Sequence, residues 1–156
     1  MMTEAAFVCV VDASVALKLF FDKPRSARID ALFSLLNTSA QARFFVPDLF
    51  YAECANTFAQ YARLTGYTPK AARDDLTELR ALELRVVPTV DLAAEALDIA
   101  LQHRISGYDA CYVALAQRLK APLLTADEKL VRALAGTAYP VYSLDSFHLP
   151  PAPTAE

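Results

Sequence analysis

ISGYDACYVALAQRLKAPLLTADEKL, residues 105–130, is the stretch from which the fold can be read. Ile105-Ser106-Gly107 is a loop. Residues 108–119 are apolar on almost every side, too apolar for a surface helix, which predicts a helix buried in a core. Lys120-Ala121-Pro122 breaks it. Leu123 and Leu124 then form a short buried strand, closed by Thr125-Ala126-Asp127, and EKLVRALAG restarts as a helix. Two carboxylates stand out. Asp109 lies in the first turn of the buried helix, with Tyr112, Val113 and Ala116 on its face at i+3, i+4 and i+7. Asp127 lies where strand hands over to helix. Capping a helix N-terminus accounts for Asp127 as well as a functional role does. It accounts less well for Asp109, because capping does not call for such apolar neighbours.

Outward from this unit the chain alternates strand and helix. Phe7 to Val11 is a β-rich run without polar alternation, as in a central parallel strand buried on both faces. A helix over 15–21 follows, with Ser14 as its N-cap. Pro24 begins a second helix through SARIDALFSLLN. A strand at 43–46 is stopped by Pro47, and a long helix over 48–65 is ended by Gly66. Amphipathic helices over 69–82 and 92–104 flank a strand at 84–88, and a last strand falls at 140–143. This alternation predicts a three-layer α/β/α fold around a mainly parallel central sheet. Residues 1–149 read as one domain and PPAPTAE at 150–156 as a frayed tail.

Composition narrows the function. The chain has 156 residues, 55% of them hydrophobic, and only three glycines, so it is mostly regular structure around a full core. A net charge of −3 repels nucleic acid overall, so any contact with it needs a local basic patch or a bound cation. Cys9, Cys54 and Cys111 are odd in number, far apart and set in apolar surroundings. They predict reduced core thiols of a cytoplasmic protein, not disulfides or a zinc site. MMTEAAFVCVVD has no basic region and meets a charge after a short apolar run, so neither a signal peptide nor a membrane span is expected.

The acids fall where chemistry happens in such folds. Asp12 and Asp127 each follow a buried strand, and ligands of open parallel sheets sit beyond the strands' carboxyl ends. Asp109, opening a buried helix after a glycine loop, can face the same rim. Each like-charge pair at about 4 Å costs roughly 4 kcal/mol at an effective dielectric of about 20, so protons or a divalent cation must relieve the cluster. All-oxygen ligands without paired His or Cys favour Mg²⁺ or Mn²⁺ over zinc. Such a cation activates water and neutralises charge in phosphoryl transfer. By helical periodicity Glu53 is a solvated residue on the polar face of helix 48–65. No glycine-rich phosphate loop exists, and Ser14 lacks a base, so it reads as a cap or a supporting hydroxyl.

VVDASVALKLF, PDLFYAECANTF, SGYDACYVALAQRL and PLLTADEKL, in this order and spacing, resemble the PIN domain, in particular VapC-type ribonuclease toxins of toxin–antitoxin pairs. The likeness covers Phe7 to Ser143. It implies a metal-dependent endoribonuclease using Mg²⁺ or Mn²⁺, with an acidic quartet at Asp12, Glu53, Asp109 and Asp127. It is this likeness that promotes Glu53 to a ligand. Ser14, Asn56 and Thr125 match positions that support the acids. Leu19 and Cys111 depart from the commoner aromatic and aliphatic residues without touching the acids. The implied partners are an RNA substrate and a cognate antitoxin, with a homodimer or a toxin–antitoxin hetero-oligomer as the assembly. The many apolar residues of the early helices, among them Phe20, Phe21, Phe33, Phe50 and Phe58, predict an exposed groove for the antitoxin. Two other classes stay open at this point. One is a PIN-like module that binds RNA or protein without cutting; the other is a receiver-like phosphoacceptor domain.

Overall fold

The structure is a computed structural model and describes residues 6–22 and 24–151. The first five residues and residues 152–156, most of the expected tail, lie outside the described residues. Five strands form one sheet: β1 (Phe7–Val11), β2 (Ala42–Pro47), β3 (Leu84–Val87), β4 (Leu123–Thr125) and β5 (Val141–Ser143). Their order is β3-β2-β1-β4-β5, and every neighbouring pair is parallel. Short β-branched and aromatic runs set up the centre, since Cys9, Val10, Val11, Phe44, Leu123 and Leu124 are fully buried. Val10 pairs with Phe45 on one side and Leu123 on the other. The outer strands are more exposed: Arg85 and Val86 on β3 and Tyr142 on β5 face solvent.

This order puts the topological switch between β1 and β4. From β1 the chain steps outward through β2 to β3, then crosses back to β4 and out to β5. Crossovers that step away from this point in opposite directions leave a crevice above the carboxyl ends of β1 and β4. A receiver-like domain would need the order 2-1-3-4-5, so that alternative is set aside.

The helices are α1 (Ala13–Ala16), α2 (Lys18–Phe21), α3 (Ala27–Thr38), α4 (Leu49–Leu64), α5 (Pro69–Ala81), α6 (Thr89–His103), α7 (Gly107–Leu119) and α8 (Glu128–Ala133). Helix α7 has the expected buried character: Ala110 through Ala116 are all buried. It starts on a Ser106 cap whose hydroxyl accepts from the Asp109 N–H at 3.0 Å, and Lys120 ends it at φ 51°.

Several details differ from the sequence expectations, beginning with the second helix, which starts at Ala27 on a Ser26 cap rather than at Pro24. The helix expected over 15–21 is two short helices joined at Leu17, and the residue at its N-cap is Asp12 rather than Ser14. The Ser14 hydroxyl is engaged with Asp12 and Ala126 instead. Pro47 does not end β2 before its last pair, because it still aligns with Val87. Helix α6 begins at Thr89, three residues before 92: Asp48, across the crossover, accepts from the Thr89 N–H at 2.9 Å and fixes that turn.

The exposed apolar surface also lies elsewhere than expected. Leu32, Phe33, Phe50 and Phe58 are buried, and Leu17, Phe20, Phe21, Leu36 and Tyr51 pack against the core. One core takes most of these side chains because their rings nest, with Phe21 stacked on Tyr61 at 4.1 Å and Phe20 edge-on to Phe58 at 5.5 Å. The open apolar stripe is instead on α6 and the start of α7, where Val90, Leu97, Leu101 and Tyr108 are 59–79% exposed.

Candidate active site

Asp12 follows β1 directly and is only 5% exposed. Its Oδ2 accepts from the Thr125 hydroxyl at 2.7 Å and the Ser14 hydroxyl at 2.8 Å. Both hydroxyls also accept a backbone bond from the turn after β4: Asp127 N–H donates to Thr125 Oγ1 and Ala126 N–H to Ser14 Oγ, each at 3.0 Å. The carboxyl ends of the two switch-point strands are thereby laced together through Asp12. Burial pushes the Asp12 carboxyl above the usual carboxylate range and the charge of Asp127 adds to that, while the Thr125 and Ser14 hydroxyls pull it partway back.

Glu53 comes from the second turn of α4 and is half-buried. Its Oε1 accepts from the phenol of Tyr112 at 2.7 Å. Burial raises its pKa, the Tyr112 bond lowers it, and the charges of Asp12 and Asp109 raise it again. Asp109, half-buried in the first turn of α7, is raised by burial and by Asp12, lowered by the Ser106 hydroxyl and raised by Asp127. Asp127 caps α8, its Oδ1 accepting from the Lys129 N–H at 2.9 Å and the Leu130 N–H at 3.3 Å. The capping role of Asp127 is therefore real. It coexists with a position close enough to act on Asp12 and Asp109.

The structure thus gathers the four acids around one crevice, each within electrostatic reach of at least one other. Ser14 and Thr125 join them. Asn56 does not: it is exposed and makes no side-chain hydrogen bond among the described residues. Sequence reasoning placed Tyr112 on the face of Asp109 but gave it no task. A signal was present, because a tyrosine in an otherwise apolar buried helix must find an acceptor for its hydroxyl.

Among the described residues no Lys or Arg pairs with any of these acids; the ion pairs lie elsewhere, such as Lys70–Asp74 and Arg118–Glu95. Uncompensated carboxylates that raise one another's pKa are the donor chemistry of a hard divalent cation. As oriented, no three His, Cys, Asp or Glu side chains among the described residues are gathered tightly enough to hold one. In donor chemistry Asp12, Glu53, Asp109 and Asp127 fit such an ion.

A PIN domain family model matches residues 9–135. Ribonuclease VapC3 of Pyrobaculum aerophilum is 32% identical over 133 residues, 84% of this chain and 98% of that protein. A crystal structure from Pyrobaculum aerophilum matches with a TM-score of 0.63 at 21% identity, covering 92% of this chain and 94% of the other. A chain from a toxin–antitoxin complex of Klebsiella pneumoniae matches with a TM-score of 0.61 at 14% identity, covering 87% of this chain and 97% of the other.

Proposed function

The chain belongs to the PIN domain family, and we propose on that basis that it is a divalent-metal-dependent endoribonuclease, the toxin of a toxin–antitoxin pair. One observation carries the reading: Asp12, buried and without a counter-ion, stands at the switch point tied to Thr125 and Ser14, with Glu53, Asp109 and Asp127 around it. When bound, Mg²⁺ or Mn²⁺ would supply charge neutralisation and water activation for phosphodiester hydrolysis. The protein's part is to fix the donors. Ser14 and Thr125 hold Asp12, the Ser106 cap sets the first turn of α7 and so Asp109, and the α8 amides hold one oxygen of Asp127.

The same reading supplies the partners: an RNA substrate, an antitoxin, and a homodimer or toxin–antitoxin hetero-oligomer. The exposed stripe of Val90, Leu97, Leu101 and Tyr108, beside an apolar groove of about 470 Å³, supports a protein partner. No helix among the described residues is long and apolar enough to cross a membrane. Three buried free thiols, with Cys54 pushed up to about 12 by burial, fit a reducing cytoplasm.

The test is expression in a bacterial host. The full chain alone arrests growth and fragments cellular RNA, co-expression with its antitoxin restores growth, and Asp12→Asn or Asp109→Asn restores growth without it. Arrest that persists in both variants contradicts the assignment.

A further inference from the structure

We propose that Tyr112 is a positioning residue of this site, its phenol holding Glu53 through Oε1 so that Oε2 is presented to the crevice shared with Asp12 and Asp109. The inference rests on the metal-site reading above and adds a residue to it.

The two residues are 59 positions apart, on different helices, and meet at 2.7 Å. They differ in how firmly they are held. Tyr112 is fully buried within the unbroken buried run of α7, so its ring has one place to be. Glu53 is half-buried on a helix whose buried residues are Phe50, Cys54 and Phe58. Its side chain has three torsions to fix. The Tyr112 bond is the one side-chain hydrogen bond to its carboxylate among the described residues, and Oε2 has none. A bond from a fixed donor to one oxygen removes most of that freedom and leaves the other oxygen for a ligand. Asp12 is held in the same manner, with two hydroxyls on a single oxygen. Oriented ligands of this kind depend on their supporting bonds, and loss of one costs about 10- to 100-fold in metal affinity.

The bland account is that Glu53 merely satisfies a buried phenol. The two accounts part in a calorimetric titration of Mn²⁺ into metal-free protein, comparing wild type, Tyr112→Phe, Glu53→Gln and the double variant. Tyr112→Phe keeps the ring and its packing. We expect it to weaken Mn²⁺ binding by about 10-fold or more, and to add less than about twofold once Glu53 is Gln, because its effect runs through that carboxylate. Unchanged Mn²⁺ affinity in Tyr112→Phe overturns the proposal, as does an equal loss in both backgrounds. A second measurement needs no variant: in a crystal of the Mn²⁺-loaded wild type, Glu53 stays on the Tyr112 hydroxyl, and a Glu53 swung away from it refutes the proposal. Wild type that takes up no Mn²⁺ removes the metal-site reading and this inference with it, whereas failure confined to Tyr112→Phe leaves the metal-site reading standing.

Discussion

Asp12 and Glu53 face one crevice but are secured in different ways. Asp12 sits on the sheet, 5% exposed, and its oxygen is held by two hydroxyls that are themselves pinned by backbone amides of the β4–α8 turn. Glu53 reaches in from a helix surface and hangs on one phenol. For both, burial is the first cause of a raised pKa. The difference teaches that the sheet supplies a rigid half of the site and the helices an adjustable half. Each acid is in electrostatic reach of at least one other, while no three among the described residues are tightly gathered. The rigid half holds Asp12 at the switch point through two hydroxyls, and the other half hangs on single supporting bonds.

The largest effect should come from breaking the rigid half. Asp12→Asn removes a charge that no neighbour replaces and should abolish detectable RNA cleavage, with the fold intact by circular dichroism. Its loss should exceed the about 10- to 100-fold expected of a supporting bond. Thr125→Val, which keeps the shape and deletes the hydroxyl, should fall within that 10- to 100-fold range in cleavage rate. A Thr125→Val enzyme as fast as wild type would show that Asp12 needs no such lacing.

The next effect is on stability and has a defined sign. Asp12, Glu53 and Asp109 are all raised in the folded protein, so over the pH range above the ordinary carboxylate values the folded state binds more protons than the unfolded one. Stability from these groups is then fully present below the ordinary values and is lost as pH rises through the raised ones. Metal-free protein should melt at a lower temperature at neutral pH than in mild acid, and millimolar Mg²⁺ or Mn²⁺ should offset that loss by binding only the folded state. Asp12→Asn should raise the metal-free melting temperature at neutral pH, by about 2–4 °C for each 1 kcal/mol recovered, and flatten its metal response. A melting temperature indifferent to both pH and metal would remove the electrostatic strain from the account. The smallest effect belongs to Asn56, exposed and unbonded among the described residues. Asn56→Ala should alter stability by no more than about 0.5 kcal/mol and slow cleavage less than Thr125→Val does.

Much of this was legible in the sequence, because the signals were local. β1 shows as an unbroken apolar run ending in Asp12, and α7 as a helix with no polar side. The handover from Leu124 through Asp127 to α8 is readable from turn and cap residues alone. What could not be read depends on partners far along the chain. Ser14 looks like a cap until Ala126, 112 residues on, donates to its hydroxyl. The start of α6 depends on Asp48, 41 residues earlier. Glu53 looks solvated because its own helix is amphipathic, and the phenol that takes it out of water belongs to another helix. Aromatic content in the early helices suggested an exposed groove, but ring-on-ring nesting is a three-dimensional property and it closed most of that surface. Periodicity identifies an apolar face; it does not say what covers it.

The central claim is that these acids cut RNA with the help of a divalent ion, and one assay addresses it most directly. Purified, antitoxin-free protein is stripped of metal with a chelator, and cleavage of a labelled single-stranded RNA is followed as Mg²⁺ or Mn²⁺ is added back, with Asp12→Asn as the parallel sample. The account predicts no cleavage without metal, saturable cleavage by wild type on its return, and none by Asp12→Asn at any metal concentration. Cleavage by the metal-free wild type, or equal cleavage by the variant, would contradict it.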